Sequence, residues 1–313
     1  MPEQEQKIGL EFGMGWLPDY PDYRDYTVQQ DEVAPTPKRL GQKQSVKAML
    51  TKMKVVDPTK VSIPPSIDLR RWCSPIENQD SLGSCTAQAG VGLVEYYETR
   101  ASGRHTDASR LFLYKATRNL LRWTGDRGAF LRTTMAAMVL FGVPPEEYWP
   151  YFVADFDKEP SSFCYAFAQN YQALQYFRLD PLGTSEDFLW KRIKALLAAG
   201  LPSMFGFTVF SSIRQAANDG KIPFPCRGER ILGGHAVVAV GYDDEAKIRN
   251  AGCGIETTGA LLIRNSWGKD WGDKGYGWLP YDYVLRGLAI DWWCLLRSEW
   301  VDTEKFGLSK RED

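Results

Sequence analysis

A chain of 313 residues is long enough to bury one large core or two smaller ones. Its 38 Lys and Arg balance 39 Asp and Glu to a net charge of −1, with no basic cluster. That excludes an electrostatic case for nucleic acid or an anionic membrane surface as partner. Apolar runs are strand-sized, shorter than a membrane span. The start, Met1-Pro2-Glu3-Gln4-Glu5-Gln6-Lys7, shows neither the basic region nor the apolar core of a signal peptide, so the cytoplasm is the expected location, with unconventional export as the other route. Six cysteines, at 73, 85, 164, 226, 253 and 294, are scattered without metal-ligand spacing, and neither metal nor cofactor is expected. One pair, Cys226 with Cys253, has the makings of a bridge, which sequence leaves open.

Taken in order, residues 1–64 read differently from the rest. The stretch Gly13 to Tyr26 is rich in proline, aromatics and aspartate and lacks helical or strand period. Prolines favour an extended chain and aromatics offer area for packing into a groove. After a polar linker, Leu40, Val46, Met49, Leu50 and Met53 predict an amphipathic helix over 38–56. Ala87, Val91, Val94 and Tyr97 recur at helical spacing over 86–101 and predict a buried central helix. Helices are predicted over 110–123 and 131–141, the second stopped by Gly142 and Pro144, with a turn at 125–129 between them. Thr184-Ser185-Glu186-Asp187 caps another helix, to Ala199. From there the pattern changes to short apolar strands at 204–210, 236–242, 261–265 and 276–279. The end, Thr303 to Asp313, reads as a frayed tail.

Three blocks carry chemistry. Gln79-Asp80-Ser81-Leu82-Gly83-Ser84-Cys85 ends on a cysteine at a helix N-terminus, where unpaired N–H groups and the helix dipole favour a thiolate. Of only two histidines, His105 sits in a polar loop, whereas His235 opens the run Gly233-Gly234-His235-Ala236-Val237-Val238. The third block is Arg264-Asn265-Ser266-Trp267-Gly268. Each has a bland reading by itself: a small buried cysteine, a core histidine, an asparagine in a turn, a surface glutamine. In this order they resemble the papain-like cysteine proteases from about Pro65 to Tyr283. In that family His and Asn follow the cysteine by about 130–150 residues; His235 lies at the edge of that window and Asn265 past it, implying modest insertions.

The resemblance implies an α+β, two-lobed fold: a helical lobe over about 65–180, a β-rich lobe over about 181–295, and a cleft between them. Residues 296–313 would be a tail. It implies that Cys85 attacks the peptide carbonyl, that His235 holds the thiolate and then moves protons, and that Asn265 orients the imidazole. Trp267 would shield the Asn–His hydrogen bond, and Gln79 would supply a donor to the oxyanion hole. Gly128 and Ala129 stand where the family pairs its backbone with an extended substrate, and Gly234 borders the same cleft. An apolar pocket walled by the segments around Phe130, Met204–Gly206 and Gly234–Ala236 is expected to take bulky aliphatic or aromatic side chains. Residues 1–64, which lack the long helical pro-segment of the cathepsins, are expected to cover the cleft and inhibit, or else to wrap the surface. Leu82 stands where secreted relatives carry a disulfide cysteine, which again favours a reducing cytoplasm. Thr86 replaces the usual aromatic after the nucleophile, and Gly234 replaces the common Asp or Asn before the histidine. The function expected is a monomeric cysteine endopeptidase acting on peptide or protein. An acyl transferase or transpeptidase using the same thiol, or a silent binding module with a filled cleft, are the other readings.

Overall fold

The computed structural model describes residues 13–39, 41–172 and 175–308. In chain order these form α1 (Pro35–Arg39), α2 (Val46–Lys52), β1 (Ser66–Asp68), α3 (Cys85–Ser102), α4 (Arg110–Leu120), α5 (Leu131–Leu140) and α6 (Ser162–Ala168). The second half contributes β2 (Gln175–Arg178), α7 (Glu186–Ala198), β3 (Ser203–Phe210), β4 (Ile231–Arg249), β5 (Glu256–Arg264), β6 (Tyr276–Pro280), α8 (Asp282–Leu285), β7 (Ala289–Leu296) and α9 (Ser298–Val301). The strands make one antiparallel sheet in the order β2-β7-β3-β4-β5-β6, with β1 added to β4. This is the α+β fold expected, but the halves interlock, because β1 and β2 come from the stretch assigned to the helical lobe.

β4 is the spine. Its residues Ala236–Tyr242 are all buried, as a strand covered on both faces requires, and α3 and α7 both pack on it. Register places His235 opposite Phe207 of β3 and Val238 opposite Arg264, so Asn265 follows directly at the end of β5. On the other side α3 packs against α4 and α5. A buried polar chain ties the halves: Arg264 donates to the carbonyls of Ser74 and Pro75 (2.9 and 2.8 Å), and the Ser74 hydroxyl donates to Glu95 of α3. Its charges are hydrogen-bonded, as buried ions must be.

The first 64 residues are not one unit. The helix predicted over 38–56 shortens to α2, because Gly41 (φ +92°) turns the chain, Ser45 caps Ala48 N–H (3.1 Å), and Lys54 (φ +63°) ends it; Leu40 and residues 1–12 lie outside the described residues. Val46, Met49, Leu50, Met53 and Val55 are buried in the main core. The tail is packed there too: Trp300 stacks on Tyr97 of α3 (4.8 Å, 3°), and Phe306, in the stretch expected to fray, is buried; residues 309–313 lie outside the described residues. Leu50→Ala should therefore cost about 2–5 kcal/mol of stability, as for any fully buried leucine. Denaturant unfolding checks this, and a loss below about 1 kcal/mol would make α2 peripheral. Cys226 and Cys253 are disulfide-bonded, closing the pairing the sequence left open.

Candidate active site

Helix α3 begins at Cys85, with Ser84 at the N-cap. The preceding loop is held by Asp126, which accepts from Gly83 N–H (3.0 Å) and from the Tyr114 hydroxyl, and by Tyr151, which bonds Ser84 and the Gln79 carbonyl (2.8 and 2.9 Å). From the opposite wall, β4 presents His235 and, beside the Cys85 thiol, the backbone of Ala236. His235 Nε2 lies 2.8 Å from Asn265 Oδ1, and Trp267 stacks on the imidazole at 4.5 Å and 25°. All four of these side chains are buried. A neutral amide oxygen at Nε2 fixes the tautomer and the ring plane without adding charge, and the indole keeps water from that bond.

Gln79 is fixed from both ends. Its Oε1 accepts from the Ser266 hydroxyl (2.6 Å) and its N–H donates to the Ser266 carbonyl (2.9 Å), which sets the amide so that its NH₂ faces the loop. That NH₂ donates to the Leu82 carbonyl and to the Gly13 carbonyl, each at 2.8 Å.

Residues 13–17 lie across this constellation. Gly13 N–H donates to Asp80 O (2.9 Å), Trp16 N–H to Gly234 O (3.2 Å), Ala129 N–H to Gly15 O (2.8 Å) and Leu17 N–H to Ala129 O (3.1 Å). The Gly15 and Trp16 backbone lies beside the Cys85 thiol. Of Gly128 and Ala129, both expected to offer their backbone, Ala129 makes the pairing with this segment. Gly128 (φ +74°) instead allows the approach, since a side chain there would reach within 2.1 Å of Gly15 O. Gly234 lies under Trp16, and Trp267 backs His235 rather than pairing with the covering segment.

The depressed thiol pKa expected from the helix N-terminus is overturned in this covered state. Burial pushes Cys85 up to about 11, with the amides of Ala236, Gly15, Thr86 and Trp16 opposing it. Burial likewise holds His235 down near 4, against the Asn265 hydrogen bond. His235 Nδ1 is buried and meets no hydrogen-bond partner among the described residues. Loss of water outweighs the helix dipole, so thiol and imidazole are both neutral here.

Sequence reasoning missed Ser266, Asp126, Tyr151 and Asp291. Ser266 was within the block quoted for Asn265, and Asp291 is a lone acid in the apolar run Ala289–Leu296, a pattern that flags a buried charge.

Residues 63–286 match the family model of the papain family cysteine proteases. A peptidase C1-like protein of Acanthamoeba polyphaga mimivirus is 34% identical over 224 residues, 70% of this chain and 68% of that protein. Peptidase 1 of Psoroptes ovis is 27% identical over 73% of this chain and 64% of its own length, so this chain spans about two-thirds of such relatives. Among solved structures, xylellain, a cysteine protease from Xylella fastidiosa, aligns with a TM-score of 0.70 at 29% identity, over 93% of this chain and 98% of that one. The chain belongs to the papain family and is a papain-like cysteine peptidase with that family's two-lobed α+β fold.

Proposed function

We propose that this chain is an endopeptidase whose residues 13–17 hold it inactive until they are displaced. Cys85 Sγ attacks the scissile carbonyl carbon; the C–N bond breaks as the imidazolium of His235 protonates the leaving amine. Water, deprotonated by His235, then hydrolyses the thioester. Gln79 and the Cys85 amide stabilise the oxyanion, and Asn265 keeps the ring aligned. Residues 13–26 act as the cover and residues 28–60 as part of the body, which moves the boundary expected at residue 64 towards the N-terminus.

One observation carries the reading. The segment over Cys85 lies against the buried thiol at Gly15 and Trp16, is pinned there by hydrogen bonds from Ala129 N–H to Gly15 O and from Trp16 N–H to Gly234 O, and its Gly13 carbonyl occupies the Gln79 donor. A chain seated this way blocks the thiol. It also enters beside Asp80 and leaves past Ala129 on either side of the nucleophile, as cleavage within a polypeptide needs. The silent-module reading is not favoured by the reacting groups, all of which are present. The monomer stands as proposed from sequence; for the compartment, the Cys226–Cys253 bridge favours oxidising surroundings over the cytoplasm. Hydrolysis of an internally quenched peptide, appearing only once the cover is unseated and absent in Cys85→Ala, is the expected result. Equal hydrolysis with the cover in place would remove the inhibitory role.

Acid should loosen the cover. His235 is neutral when covered, with its pKa lowered from 6.5 to about 4, so its contribution to closure is complete above about pH 6.5. It weakens as pH falls towards 4, where an uncovered imidazole binds a proton and the covered one does not. Hydrogen exchange of the Trp16 and Leu17 amides, corrected for intrinsic pH dependence, should show faster opening at pH 4.5 than at pH 7. Equal corrected rates would reject the linkage.

A further inference from the structure

Trp16 does more than pass over the thiol. Trp16 is 5% exposed and its indole packs against two glycines: a Cβ on Gly206 would sit 1.9 Å from its Cε2, and one on Gly234 would sit 2.7 Å from its Cε3. Its N–H donates to Asp291 Oδ2 at 3.1 Å. Asp291 is fully buried, and its Oδ1 accepts from Trp293 Nε1 (2.7 Å), with Arg178 Nη1 at 3.3 Å. Arg178 is itself shared with Asp180 (3.0 Å). The carboxylate thus takes two indole N–H groups, one from the body and one from the cover.

When the cover leaves, Oδ2 loses its donor and the slot over Gly206 and Gly234 opens beside the reacting centre. We propose that Asp291 determines specificity: the slot vacated by Trp16 selects a substrate side chain that is flat, bulky and brings an N–H to this carboxylate, tryptophan first. This rests on the peptidase reading and corrects the purely apolar pocket expected from sequence. An aliphatic or phenyl side chain fills part of the slot but strands a buried acceptor, and a site built to hydrogen-bond its ligand discriminates strongly against analogues lacking the donor. An arginine side chain donates but leaves the width between the glycines unfilled.

The test uses the full chain carrying Gly15→Val and Trp16→Ala, which empties the slot, with Cys85→Ala added for binding measurements. Calorimetry compares a hexapeptide of residues 13–18 with versions holding benzothienylalanine, phenylalanine, leucine or arginine in place of the tryptophan. Benzothienylalanine has the shape of tryptophan without its N–H. The tryptophan peptide should bind at least about tenfold more tightly than the benzothienyl one. Asp291→Asn should remove the gap: asparagine tolerates φ +64° but offers one acceptor to two indole N–H groups. Equal binding of the tryptophan and benzothienyl peptides, tighter binding of the arginine peptide, or no binding of any overturns the proposal, whether or not the Asp291 variant folds. With Cys85 restored, kcat/KM on substrates varied at the same side chain should follow the same order. Hydrolysis without a tryptophan preference overturns the proposal and leaves the peptidase reading standing. A tryptophan preference in binding with no hydrolysis of any peptide supports the slot and defeats the peptidase reading.

Discussion

Full-length Gly15→Val protein should react with an epoxide cysteine-protease inhibitor roughly a hundredfold faster than the unaltered chain, with the added mass lost in a Cys85→Ala version. Gly15 sits so close to the loop before Cys85 that a Cβ there would fall 1.8 Å from the Gly83 carbonyl oxygen. That contact is with backbone held by Asp126, which cannot step aside as a flexible side chain would. Overpacking of this kind costs up to about 3 kcal/mol or more, and each 1.4 kcal/mol is a factor of ten in the closed-to-open ratio. Gly15 is not in the left-handed region, so valine is strained only when the segment is seated. Intact mass reads the label, and thermal unfolding reports whether the body stays folded. Unchanged labelling in a folded variant would mean that the segment does not control access to the thiol.

In that opened background, Gln79→Ala should lower kcat by about a hundred- to a thousandfold, the usual cost of one oxyanion donor, with KM little altered. The amide acts as a donor only because Ser266 fixes it: the hydroxyl on Oε1 forces the NH₂ towards the loop, where it now holds the Gly13 carbonyl. A carbonyl of the cover on that donor is what an oxyanion site attracts when no substrate is present. Ser266→Ala should give a smaller loss in kcat, since the donor remains but its direction is no longer set. If Gln79→Ala raised KM and left kcat alone, Gln79 would bind substrate rather than stabilise the transition state.

Much of this was legible in the chain because it depends on local rules. Helix α3 starts at the cysteine because Gly83-Ser84 ends an irregular loop and a long apolar-spaced run follows, and the predicted limits of α3, α5, α7, β3 and β6 fall within two residues of those observed. Residues 46–55 showed their apolar spacing but not their destination. Burial against the packed tail arises from partners some 250 residues away, and no local pattern encodes that distance. Strands β1, β2 and β7 were missed for a related reason. The first two are only three and four residues long, and β7 carries Asp291 in its middle, so neither length nor alternation marks them.

By itself the sequence singled out the proposed reacting set: a cysteine at a helix N-terminus, a histidine inside the central strand, an asparagine at the end of the next, and the glutamine six residues before the thiol. Each is placed by the element it belongs to, and the elements follow from spacing, caps and turns. Only the tertiary structure decided the condition of that set. A dipole argument on α3 alone predicts a thiolate, yet Cys85 is driven up and His235 down because residues 13–17 exclude water from both. Ionisation depends on the solvent a group can reach. Which distant segment covers that group, and which side chain it leaves in the slot on Gly206 and Gly234, are settled by packing between residues far apart in sequence.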